Sequence, residues 1–126
     1  PAKEAGSGVI YDVTSTPSSF AEANADVVTT FLKVTSEMNT MYAENPEPMY
    51  EAISIEAGMD MEGTKAILAV MAFMSAETQL SDQWMGKWLA GDLKRQALAL
   101  EAAGKITALD DYDALVNTTY LAAAAK

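Results

Sequence analysis

The chain contains neither cysteine nor histidine. Their absence excludes disulfide bonds, thiolate nucleophiles, Ser-His and Cys-His catalytic pairs and most zinc sites. A P-loop, a GxGxxG turn and an EF-hand loop are also missing from the sequence. General acid–base chemistry would then rest on paired carboxylates, and no pair of acids is distinguished by its spacing from ordinary surface acids. We therefore predict that the chain is not an enzyme and needs no cofactor or metal ion, with a carboxylate-only metal site left open.

Positive charge is scarce, with eight Lys and Arg against eighteen Asp and Glu and a net charge of −10. Binding to nucleic acid needs clustered Lys and Arg, so nucleic acid is not an expected partner. Long apolar runs are missing as well, because no window approaches the roughly 18 residues that a membrane-spanning helix needs. The start of the chain lacks the basic and apolar regions of a signal peptide. If the protein is exported, we expect the signal to lie outside this sequence.

The 126 residues are half apolar, with a mean hydropathy of +0.03, which is a globular composition long enough for one core. Most of the patterning is helical. The clearest stripe predicts a long helix over residues 20–44, with a break near Asn24 left open, that buries one face. That face consists of Val27, Phe31, Val34, Met38 and Met41.

Further helices are predicted at residues 48–57, 61–72 and 82–103, with a short helical turn beginning at residue 76 and a short Ala-rich helix in the C-terminal tail. Residues close to the helix ends predict where these helices begin and end. Pro48 lies in a first turn, Asp60 and Ser75 are polar N-caps, and Gly58 and Gly104 are C-terminal glycines.

One segment does not fit the helical pattern. The stretch GVIYDVTS, residues 8–15, is rich in β-branched and aromatic residues, which predicts a short strand that ends before Pro17. An isolated strand leaves its backbone groups unpaired, so its partners would come from another chain or from protein outside this sequence. The strand also carries a lone carboxylate, Asp12. The predicted fold class is therefore mostly α with one short N-terminal strand.

The order of several motifs resembles one family. In YDVTSTPSSFAEANADVVTTFLKVT, an aromatic–Asp–Val strand and a short loop precede Phe-Ala-Glu and a Val-Val helix start. This segment is similar to periplasmic substrate-binding proteins of ABC importers, in the taurine, sulfonate and nitrate branch. The stretches EAGMDMEGTKAILAVMAFMSAETQLSDQWMG and GKITALDDYDALVNTTYLAAA resemble later helices and the C-terminal ending of that family. The resemblance spans roughly Val9 to Ala125, and it departs from the family at Ala25, Met61 and Met74, where proline is usual.

The resemblance implies a fold and a function. The chain would be the C-terminal part of a two-lobe α/β periplasmic-binding-protein fold of type II. Residues 1–19 would be the strand and hinge crossing from the second lobe, and residues 20–126 the C-terminal helical part of the first lobe. The missing N-terminal part of the same protein would supply most of the sheet. The implied function is periplasmic transport: binding of taurine or another small sulfonate, and its delivery to an ABC permease in the inner membrane.

Three residues of the crossing are the candidate ligand-binding residues. Asp12 would pair with the ammonium of taurine, Tyr11 would line the cleft, and the Thr14 hydroxyl would donate to the sulfonate. The alternatives are an exposed edge carboxylate, a core aromatic residue and a hinge threonine bonded to local backbone. Trp84 and Trp88, four residues apart on one helix, could likewise form a cage for an ammonium group or pack in the core.

A second function stays open beside transport. The chain could be a stand-alone acidic helical domain that grips a protein partner with its methionine and tryptophan faces. Near-absent strand content and a monodisperse, cooperatively folded chain would favour that function.

Overall fold

The computed structural model describes residues 10–126, and over this range the chain is mostly helical, as predicted. Its seven α-helices and one 3₁₀ turn follow in chain order: α1 Ser18–Ala23, α2 Ala25–Glu44, α3 Glu47–Ala57, α4 Met61–Leu68, α5 Ala76–Leu80, α6 Trp88–Ala102, the 3₁₀ turn Asp113–Leu115, and α7 Thr119–Ala124. Within residues 10–126, no helix is long and apolar enough to cross a lipid bilayer.

The local signals at the helix ends are confirmed. The Asp60 side chain accepts a hydrogen bond from the Gly63 amide at 2.7 Å and caps α4, and Ser75 caps α5 in the same way. Gly58 follows α3 with φ 63°, and Gly104 follows α6 with φ 68°. Both values lie in the left-handed region, which glycine occupies without strain.

The break near Asn24 is present and separates α1 from α2. Two predicted helix bounds are wrong. The first is the end of α4, which lies at Leu68 instead of residue 72. The helix predicted from residue 82 begins at Trp88. Residues 82–87 form tight turns instead, in which the Gly86 amide donates to the Ser81 carbonyl at 2.9 Å. Hydrophobic periodicity does not detect such turns because Trp84 and Trp88 keep helical spacing across them.

The predicted strand is also wrong over the residues that the structure describes. Residues 10–17 carry no regular secondary structure, and no strand occurs anywhere in residues 10–126; Gly8 and Val9 of the prediction lie outside that range. The physical reason is the missing partner: the described part of the chain offers no second strand with which this segment could pair. Side-chain contacts from Tyr11 hold this segment instead.

The buried core is small. Ala90, Ala97 and Tyr112 form its centre, between α6 and the segment around the 3₁₀ turn, with Leu93 and Val116 packed at its edge. Elsewhere α2 packs against α7, and α3 packs against α4. The other apolar residues below a tenth exposed are Ala21, Leu68, Leu89 and Leu121.

The apolar face predicted to be buried along the long helix is exposed, so this part of the prediction is wrong. We call it the α2 apolar face, and its five residues are Val27, Phe31, Val34, Met38 and Met41. Each is between 39% and 54% exposed. The half-buried residues of α2 are instead Val28, Thr29, Leu32, Ser36, Asn39 and Tyr42, and the Asn39 side chain donates to the Met74 carbonyl at 3.0 Å. The helix therefore turns inward a side that mixes polar and apolar residues, while its most apolar stripe stays exposed.

The accessible surface of the chain is correspondingly large, at 9213 Å². A compact monomer of 13.4 kDa exposes about 6,500 Å² by the usual size scaling, so the excess is about 2,700 Å². The nine residues outside the described range account for at most about 1,200 Å² of that excess. The remainder is surface that a protein of this size ordinarily covers.

Candidate functional site

The best-formed polar cluster joins the N-terminal segment to α6. The Tyr11 hydroxyl donates to Asp92 Oδ2 at 2.8 Å. The Gln96 amide donates to the same Oδ2 at 2.6 Å and to the Tyr11 hydroxyl oxygen at 3.1 Å. Arg95 donates to Asp92 Oδ1. Asp92, Arg95 and Gln96 share one side of α6 because helical neighbours three and four residues apart face each other. We call these four residues the Tyr11–Asp92 cluster.

Asp92 is the only acidic residue that the described part of the chain buries, at 5% exposed. Burial raises the pKa of its carboxyl, but the hydrogen bonds from Tyr11, Gln96 and Arg95 and the charge of Arg95 outweigh that effect, so the net pKa is lowered. The carboxylate is thus ionised at neutral pH with both oxygens in hydrogen bonds. Such satisfaction is what allows a charge to remain in a poorly hydrated position.

Tyr11 is held by its ring as well as by its hydroxyl. The ring meets Trp88 edge to face, with centroids 5.6 Å apart, and Trp88 meets Trp84 in the same way at 5.4 Å. Burial, followed by the hydrogen bond to Asp92 and its negative charge, raises the pKa of Tyr11. Trp88 therefore packs against both Trp84 and Tyr11, an arrangement that matches aromatic packing more closely than two faces open to an ammonium ion.

The three residues predicted to bind ligand differ in how far they are buried. Tyr11 is half-buried and its hydroxyl is engaged by Asp92. Asp12 and Thr14 are exposed. None of the three side chains lines the groove between α2, α5 and α7. That groove is open, has a volume of about 970 Å³, and runs between α2, α5 and α7 beside residues that include Lys33 and Glu77.

Within residues 10–126, no group of three or more acidic side chains is arranged to hold a metal ion. The acidic stretch at residues 110–113 is used locally, since the Asp111 carboxylate accepts a hydrogen bond from the Asp113 amide at 2.8 Å. This contact is typical of a solvated turn.

Sequence reasoning missed Asp92, Arg95 and Gln96. One signal was present: Asp92 follows Trp88 by four residues, so an acid lies on the same helix side as a large aromatic side chain. A carboxylate there needs partners if that side is buried. The partner from residue 11 is 81 positions away in sequence, and no local pattern identifies it.

No protein-family model, curated protein or solved structure matches the chain. The resemblance to binding proteins of ABC importers therefore stays a prediction, and so do the residue roles that it implies.

Proposed function

We propose that the chain is the C-terminal part of a periplasmic solute-binding protein of an ABC importer. The whole protein binds taurine or a related small sulfonate between two lobes and delivers it to a permease in the inner membrane. The observation that carries the proposal is the uncovered α2 apolar face. An exposed apolar helix face is a surface that another layer or partner covers, and the resemblance in the order of the sequence motifs supports the sheet of the first lobe as that layer.

The segment before α1 is the crossing between the lobes in this proposal. Asp12 lies in it with an exposed carboxylate, which is free to meet a ligand when the lobes close. The carboxylate pairs with the ammonium of taurine, and the ion pair strengthens as closure removes water. Neutral donors, among them the Thr14 hydroxyl, hold the sulfonate. Tyr11 contributes by holding the segment, since its hydroxyl already donates to Asp92. The role is noncovalent binding.

The Asp12 role predicts a specific loss of affinity. In the whole protein, Asp12→Asn weakens taurine binding by about tenfold or more, which is about 1.4 kcal/mol, because the ammonium loses its charged partner. Asp82→Asn is the matched control, since it removes an exposed acid of the turn before α6 and leaves affinity unchanged. Isothermal calorimetry measures both variants.

Ethanesulfonate, which lacks the amine, makes the test sharper. The wild-type protein binds it more weakly than taurine, and Asp12→Asn removes most of that preference. Taurine affinity within twofold of wild type in Asp12→Asn contradicts the role of Asp12. Absence of taurine binding in the wild-type whole protein contradicts the proposed function.

The second candidate function is the stand-alone acidic helical domain that grips another protein. The same α2 apolar face favours it, because an exposed apolar helix face is a common docking surface. The absence of strands from residues 10–126 favours it as well. The two functions differ in the state of the isolated chain: an interaction domain is a stable monomer without its partner, whereas part of a lobe associates through its uncovered face.

A further inference from the structure

We propose that Asp92 is a positioning residue that fixes the segment carrying Asp12 onto α6. The docking of that segment rests on the structure alone, and only its consequence for taurine rests on the proposed function. The segment at residues 10–17 has no strand partner in the described part of the chain. A side-chain attachment is what remains to hold it, and Tyr11 provides one immediately before Asp12.

The attachment is a closed set of hydrogen bonds. The Tyr11 hydroxyl donates to Asp92 and accepts from Gln96, while Gln96 also donates to Asp92. Every member therefore has two partners within the set, and Arg95 occupies the second oxygen of the carboxylate. Hydrogen bonds to a charged acceptor are the stronger kind, so this single tyrosine can hold a segment without backbone pairing.

The position of Asp92 on α6 makes the attachment rigid. Its carboxylate is 5% exposed, and the residue lies one helical turn after Trp88, against whose ring the Tyr11 ring packs. The hydroxyl and the ring of Tyr11 are thus held by two side chains of the same helix. Because consecutive α-carbons are 3.8 Å apart, fixing Tyr11 restricts where the Asp12 carboxylate can lie.

A spin label on the crossing segment tests the docking directly in the 126-residue chain. The chain has no cysteine, so Val13→Cys gives one labelling site at an exposed residue, and Thr30→Cys on α2 gives a reference site. We expect a restrained label at residue 13 in the otherwise wild-type chain. Both Tyr11→Phe, which keeps the ring, and Asp92→Asn are expected to convert it to a mobile one.

The control variant is Tyr112→Phe, which removes a hydroxyl that accepts from the Leu109 amide at 3.0 Å and lies outside the Tyr11–Asp92 cluster. It should leave the label at residue 13 restrained. The label at residue 30 should keep its spectrum in Tyr11→Phe, because a general loosening of the fold would change both labels. A label at residue 13 that is mobile in the wild-type background, or still restrained in Tyr11→Phe, overturns the inference.

The consequence for ligand is tested separately in the whole protein. Tyr11→Phe should weaken taurine binding in the wild-type background and have no further effect in the Asp12→Asn background, since it acts through Asp12. Equal losses in both backgrounds contradict positioning of Asp12. If taurine does not bind the wild-type protein while the label results hold, the proposed function fails and the docking of the segment stands.

Discussion

At the scale of single residues, the chain relies on one buried carboxylate. Asp92 lies in a poorly hydrated position, and its stability there comes from three side-chain donors. Removing the carboxylate takes the acceptor from the Tyr11 hydroxyl, which is half-buried, and from the Gln96 amide, which is exposed and can turn to water. The net worth of a hydrogen bond, about 0.5–1.5 kcal/mol, therefore sets the scale for Asp92→Ala in urea unfolding.

The lowered pKa of Asp92 gives a pH dependence with a definite sign. Its pKa in the folded state lies below the ordinary value of 3.8, so the unfolded state takes up a proton first as the pH falls. The stabilisation from ionised Asp92 is therefore fully present above that ordinary value and is lost as the pH falls through the lower folded-state pKa. Urea unfolding of wild type and Asp92→Asn should show a smaller stability difference at about pH 3 than at pH 7. The same difference at both pH values contradicts this account.

At the scale of elements, the helix ends that carry a capping residue could be predicted from the sequence, and the environment of the helices could not. Asp60, Ser75 and Gly58 act through neighbours within four residues, so local patterns were sufficient to predict them. The α2 apolar face has alternating spacings of four and three residues, typical of a helix packed along its length. The pattern showed that the face is suited to burial, but not whether the covering layer belongs to this chain. The strand prediction failed for the same reason, since its pairing depends on distant chain.

Two glycines, one in the turn before α6 and one inside α6, predict opposite effects on stability when each is replaced by alanine. A Cβ at Gly86 would lie 2.9 Å from backbone atoms of Leu80 and Ser81, so Gly86→Ala forces the turn to shift and destabilises the chain by about 1–3 kcal/mol. Gly91 is inside α6, and apart from its chain neighbours and the adjacent backbone of its own helix, no atom lies within 4 Å of an added Cβ. Gly91→Ala is therefore the matched control and should stabilise by about 0.5–1 kcal/mol. Urea unfolding followed by circular dichroism measures both, and stabilisation by Gly86→Ala contradicts the tight turn.

At the scale of the whole molecule, the small core and the excess surface both support the proposal that the chain belongs to a larger protein. Seven apolar residues are buried among those described, while the α2 apolar face is left open. A chain that is half apolar ordinarily buries more than this. We propose that this face is an interior surface of a larger protein. In the sequence, only the family resemblance suggested such a covering layer.

Sedimentation velocity of the 126-residue chain, alone and over a range of concentrations, tests that claim most directly. We predict concentration-dependent association that decreases when Phe31 and Val34 are both replaced by Gln, because the association uses the α2 apolar face. The matched control replaces Thr30 and Thr35, two exposed residues of α2 outside that face, with Gln and leaves association unchanged. A single species near 13.4 kDa at every concentration, with cooperative unfolding, would contradict the claim and favour a stand-alone helical domain.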